Sequence, residues 1–105
     1  MKNLADKYDY KSYILINDAS LTDYGYYSKL YNLNTDKLGI INFSAFSEEN
    51  ILKILNSLPS GTYWFYFPND YSHSPAIPAL KKWKANKNIS EELEIKGSYL
   101  LKVEI

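Results

Sequence analysis

The sequence predicts a small α/β or mixed-sheet α+β domain with the element order β-α-β-α-β-α-β-β. Three observations carry that expectation. Two short apolar runs, Tyr13-Ile14-Leu15-Ile16 and Leu38 to Phe43, each close on turn-forming residues, as buried strands do. The stretch 62–67, Thr-Tyr-Trp-Phe-Tyr-Phe, holds six β-favouring residues without polar alternation, the pattern of a strand covered on both faces and therefore central. Between these runs lie segments of about a dozen residues with helical periodicity, and strand-helix-strand of that length makes a parallel, right-handed βαβ unit.

Residues 1–11 are polar with two tyrosines and read as a short lead-in to the first strand. After Asn17-Asp18-Ala19-Ser20, the segment Leu21 to Tyr31 places Tyr24, Tyr27, Leu30 and Tyr31 at helical spacing, with Ser20 or Thr22 as cap. Gly25 in its middle costs about 1 kcal/mol against alanine. Behind the second strand, Ser44 to Ser47 forms a bend, and the next helix has the best local signature in the chain. Ser47 caps it, Glu48 and Glu49 sit at the positive end of its dipole, and Phe46 staples onto Ile51. Ile51, Leu52, Ile54, Leu55 and Leu58 make one apolar face, which Pro59-Ser60-Gly61 terminates.

After the aromatic strand and Pro68 comes a polar loop over 68–74. A third helix follows, from Pro75 or Pro78 to Asn86, and proline's comfort at the first helical position favours the start at Pro78. The chain closes with an antiparallel hairpin over 92–105. A two-residue Gly97-Ser98 loop would put Leu93 and Ile95 on the opposite face from Tyr99, Leu101 and Val103. A three-residue loop, Lys96-Gly97-Ser98, places all of them on one face, so an odd-length loop is expected.

At 105 residues the chain is sized for one domain, spanning 1–105, and its 46% hydrophobic and 23% charged residues exclude disorder and fibrous classes. No apolar run reaches the 18 or so residues of a membrane span, and the N-terminus carries no secretory h-region, so a cytoplasmic location is expected. With no cysteine, disulfides, thiol nucleophiles and thiolate metal sites drop out, and a single histidine, His73, removes multi-histidine sites. All 12 basic residues are lysine. Without arginine there is no planar fork for bidentate recognition of guanine, phosphate or carboxylate. The formal net charge of zero gives no field toward nucleic acid or an anionic membrane.

Three constellations are candidates for function. Ligands of open parallel sheets gather beyond the carboxyl ends of the strands. That rule collects Asn17, Asp18 and Ser20, then Ser44, then Asn69, Asp70, Tyr71, Ser72 and His73. Converging loops would let Asp18 or Asp70 orient His73 as a general base, with Ser44 or a water as nucleophile. The simpler reading is that these residues form turns and caps, and no G-x-S-x-G, glycine-rich phosphate loop or H-E-x-x-H supports catalysis. Oxygen-ligated Mg²⁺ or Ca²⁺ at Asp18 and Asp70 lacks a clustered acidic loop. Second, Lys81, Lys82, Trp83, Lys84 and Lys87 combine cations with a stacking ring, the logic of single-strand binding. The same spacing equally describes a surface helix with Leu80 and Trp83 facing the core.

Third, Tyr8, Tyr10, Tyr13, Tyr24, Tyr26, Tyr27 and Tyr31 crowd seven of the 11 tyrosines into 24 residues, more than one small core readily buries. Tyrosine offers large contact area with few rotors, so exposed clusters favour protein interfaces. The favoured reading is therefore a small protein-binding module, in the manner of an inhibitor, immunity or regulatory protein that covers a target's surface. Its expected contacts are Tyr24, Tyr26, Tyr27 and Tyr31, with Asp18 and Asp70 as polar anchors. The alternative is non-specific single-stranded nucleic-acid binding through the Lys81–Lys87 helix, and the second a small hydrolase-like enzyme with His73 as base. The reading leans away from an enzyme and expects no metal, cofactor or membrane partner, with self-association left open.

Overall fold

The computed structural model describes residues 2–17, 20–41, 47–68, 76–95 and 98–105, with only the backbone of Ala76 and Ile95. In chain order these form α1 (Lys2–Lys7), β1 (Tyr13–Asn17), α2 (Leu21–Leu30), β2 (Leu38–Ile41) and α3 (Glu48–Asn56). They continue with β3 (Thr62–Phe67), α4 (Ala76–Lys84), β4 (Asn88–Ile95) and β5 (Ser98–Glu104). One mixed five-stranded sheet runs in the order β2-β1-β3-β5-β4. β1 pairs in parallel with β2 and β3, while β5 is antiparallel to both β3 and β4.

The aromatic strand β3 is the middle of the sheet, as its unbroken apolar run requires. Tyr63, Phe65 and Phe67 pack on one face with Leu15, Tyr99, Leu101 and Val103, against Ile51 and Leu55 of α3 and Leu80 and Trp83 of α4. Trp64 and Tyr66 pack on the other face with Ile14, Ile16 and Leu100, against Leu4 of α1, Tyr24 of α2, and Tyr8 and Leu33. The result is a layer of helices on either side of the sheet. The chain moves from β1 outward to β2 and then back past β1 to β3, so right-handed crossovers place α2 and α3 on opposite faces.

Local chemistry explains most boundaries. The Ser47 side chain accepts from Asn50 N at 3.3 Å, with Glu48 and Glu49 in the first turn of α3 as the sequence indicates. Phe46, its expected staple, lies outside the described residues. Gly39 is needed for close approach: a Cβ there would stand 2.5 Å from Leu15 Cδ2 across the β1–β2 pair.

Four expectations require correction. The lead-in contains a helix, α1, which Leu4 anchors by complete burial; six polar-looking residues hide it because tertiary contact, not propensity, holds so short a helix. α4 begins at Ala76 rather than Pro78, and Pro78 is tolerated at its third position because first-turn N–H groups have no intrahelical acceptor. The hairpin begins at Asn88, since edge-strand β4 is held by backbone pairing to β5 despite its polar sequence. Finally, the odd-length hairpin loop is wrong. Ile95 pairs with Ser98, leaving two residues between the strands, and Leu93 faces Leu100. The single-face premise fails because both faces of the sheet are covered, and a register shift between Ile89 and Glu91 returns Ile89 to the face of Val103.

Candidate functional site

Helix α2 turns Tyr24 into the core, 6% exposed, where burial raises its phenol pKa. Tyr24 therefore supports the fold and leaves the contact set expected from sequence. Tyr26 stands 65% exposed, Leu30 58% and Leu21 45%, with Tyr31 also exposed just past the helix. Tyr27 is half-buried and joins these rings: its centroid lies 5.1 Å from Tyr26, edge to face, and 6.5 Å from Tyr31, stacked. Beneath them Tyr66 is buried, and its phenol pKa is pushed up, first by burial and then by the nearby Tyr27, Asp23 and Tyr31. Gly25, Tyr26, Lys29 and Leu30 line an open depression of about 430 Å³ on the outer side of the helix.

The outer face of α2 thus presents Tyr26 and Leu30 beside Gly25 and Lys29, and the Tyr27 and Tyr31 rings continue from Tyr26. The sequence singles out its tyrosines and sets Leu30 at helical spacing with Tyr24, Tyr27 and Tyr31, but does not single out the exposure of Leu30 or Leu21. The readable signal was the absence of one clean stripe: Tyr24 and Leu30 cannot both face the sheet when Tyr26 and Leu21 also lie outside.

Tyr8, Tyr10 and Tyr13 make contacts within the fold, although Tyr10 stands 55% and Tyr13 42% exposed. Tyr8 donates its hydroxyl to Ser12 O at 2.6 Å and lies 2.7 Å from Thr35 Oγ1. Tyr10 packs edge-on against Tyr8, and Tyr13 stacks on Tyr63 at 5.3 Å. Asp9 accepts from Lys11 N, Ser12 N and the Ser12 hydroxyl, and the Lys11 bond is the first cause holding its carboxyl below the usual range.

Compared with known proteins, the chain matches no family model, no curated protein and no solved structure.

At the lysine-rich helix, Trp83 is 5% exposed and packs edge-on against Phe65 with centroids 5.6 Å apart. Lys81 pairs with Glu94, Lys82 with Glu48, and Lys84 with Glu92, while Lys87 lies over the Trp83 ring. A buried ring offers no platform for a base, and each cation on the helix has a carboxylate neighbour. Tyr99 also donates to Glu92, whose pKa is lowered first by its hydrogen bond from Lys84 and then by that from Tyr99.

The strand-end cluster divides differently. β1 and β3 are adjacent and parallel, and their following helices α2 and α4 lie on opposite faces, so a switch point falls between their carboxyl ends. Asn17 and Ser20 are buried there, and Asn17 Oδ1 has no hydrogen-bond partner among the described residues. Asp18, Ser44, Asn69, Asp70, Tyr71, Ser72 and His73 lie outside the described residues, and so do the polar anchors expected of Asp18 and Asp70. Among the described residues no three His, Asp or Glu side chains gather as a cation site needs, and no helix is long and apolar enough to cross a membrane.

Proposed function

We propose that this chain is a protein-binding module whose contact surface is the outer face of α2, acting by covering a target's surface as inhibitor and regulatory proteins do. The observation that carries the reading is the exposure of Tyr26 and Leu30 around the depression over Gly25, with the Tyr27 and Tyr31 rings continuing from Tyr26. Scattered apolar residues need no explanation, but a contiguous aromatic and aliphatic patch costs solubility unless something covers it. Tyrosine suits that use, because its ring supplies contact area and its hydroxyl remains able to bond water or partner.

The test compares affinity captures from the source cell's lysate, each made with and without nuclease. Three baits are used: the wild-type chain, Tyr26→Ser with Leu30→Ser, and Ile40→Ser, which alters an exposed apolar residue on edge strand β2. A stoichiometric protein held by wild type and Ile40→Ser but lost by the α2 variant supports the reading. A partner retained by the α2 variant removes this face from the interface, and one lost with nuclease moves the assignment to nucleic acid.

A further inference from the structure

On the same side of the sheet as α2, but at its hairpin end, a second feature has a different character. Asn3 and Lys7 of α1, Trp64 of β3, Glu91, Glu92 and Leu93 of β4, and Leu100 of β5 enclose a pocket of about 160 Å³. Lys7 Nζ donates to Glu91 Oε2 at 3.0 Å, and both side chains are about half exposed, so this ion pair stands at the water side of the pocket. Trp64, by contrast, has no exposed surface, and its Nε1–H, like that of Trp83 on the opposite face, has no hydrogen-bond partner among the described residues. Lys102 Nζ lies over its ring at 5.2 Å but, as a donor, offers nothing to an N–H.

A buried donor without an acceptor carries the full desolvation penalty of that group, so native proteins rarely leave one. Here the orphan belongs to a side chain that lines a pocket. The volume is also suggestive, because an engineered dry cavity of about 150 Å³ holds one benzene molecule. The apolar walls come from Trp64, Leu93 and Leu100, while Lys7 and Glu91 neutralise each other. Of the other charges nearby, Glu92 is paired with Lys84 and the Lys102 ammonium lies over the Trp64 ring, so no lining carboxylate is left to hold a cationic occupant.

We infer that this pocket binds a small uncharged molecule about the size of one six-membered ring, carrying a hydrogen-bond acceptor that takes the Trp64 N–H. The acceptor supplies orientation and the ring fills the apolar space, the usual division of labour in small-molecule sites. Occupancy requires side chains at the mouth to shift, since water does not reach the indole, and the exposed Lys7–Glu91 pair costs little to open.

The experiment uses the full chain labelled with ¹⁵N and two probes of equal shape, pyridine and benzene, at pH 8, where pyridine is uncharged. The indole N–H resonances of Trp64 and Trp83 are followed during titration. Trp83 lies on the opposite face of the sheet and serves as the internal control. Pyridine is expected to move the Trp64 resonance saturably and to bind about five- to tenfold more tightly than benzene, the span of one neutral hydrogen bond. In Trp64→Phe, followed through the backbone amide resonances of the lining residues Leu93 and Leu100, the preference for pyridine disappears. Leu93→Phe, altered at a half-exposed position that leaves the core intact, fills the pocket and abolishes both responses. A Trp64 resonance that stays still, equal affinity for the two probes, or binding unchanged in Leu93→Phe would each overturn the inference.

Discussion

Replacing Gly25 with alanine should separate folding from binding, because the two respond with opposite sign. Gly25 is the fifth residue of the ten in α2, and a Cβ added there meets no atom within 4 Å. Nothing among the described residues requires glycine at this position, so the variant should recover the helix-propensity difference of about 0.8–1 kcal/mol. For a domain of this size that gain raises Tm by about 4–7 °C. The same methyl group protrudes into the depression lined by Tyr26, Lys29 and Leu30. Against a partner packed there, overfilling costs about 1–3 kcal/mol, which weakens binding roughly five- to 150-fold. Thermal melts followed by circular dichroism measure the first effect, and titration calorimetry with the captured partner measures the second. A lower Tm would mean that the Cβ is not in open space and that the account of α2 is wrong. A higher Tm with unchanged affinity would remove the α2 face from the interface while leaving the fold intact.

Other positions test the packing and the charges. Gly39→Ala forces a Cβ to within 2.5 Å of the Leu15 side chain, itself part of a packed cluster, and should destabilise by about 1–3 kcal/mol in urea melts; a loss below about 0.5 kcal/mol would show that Leu15 has room to move. Ser47→Ala removes the cap on Asn50 N and should cost about 0.5–1 kcal/mol, toward the low end because the bond is long and exposed. Glu92 has its pKa lowered in the folded state, so its contribution is complete above the unfolded carboxylate range and disappears as pH falls through the folded value. Glu92→Gln should therefore be less stable than wild type at pH 7, by under about 1 kcal/mol given its exposure, and the gap should close toward pH 3. A gap independent of pH would mean that packing, not charge, accounts for Glu92.

The fold was legible where one element's own residues decide its state. β3 declared itself central because six consecutive β-formers leave no polar face for water, and α3 declared its start through Ser47 and its acidic first turn. α1 was illegible for the opposite reason: with one buried leucine, its helix exists only because Leu4 finds the second face of the sheet. The hairpin register failed on a similar point, since parity arguments assume that one face is wet. Of the tyrosines expected at the surface of α2, Tyr26 and Tyr31 are exposed and Tyr27 is half-buried, while Tyr24 is core, because four aromatic and aliphatic residues at mixed helical spacing define no unique buried side.

What this sequence determined by itself is the set of strands and principal helices, the parallel crossovers and the central place of β3. Each follows from short-range periodicity, from capping and from the handedness of L-residues. Only the tertiary structure decided which tyrosines reach solvent, that Trp83 is core and its lysines are paired, and that Trp64 keeps an unanswered N–H beside a pocket. Those facts depend on which distant residues arrive at each side chain: Phe65 against Trp83, Glu92 and Glu94 against the lysines, α1 against the hairpin. Such contacts are set by the packing of whole layers and leave no mark in the local sequence.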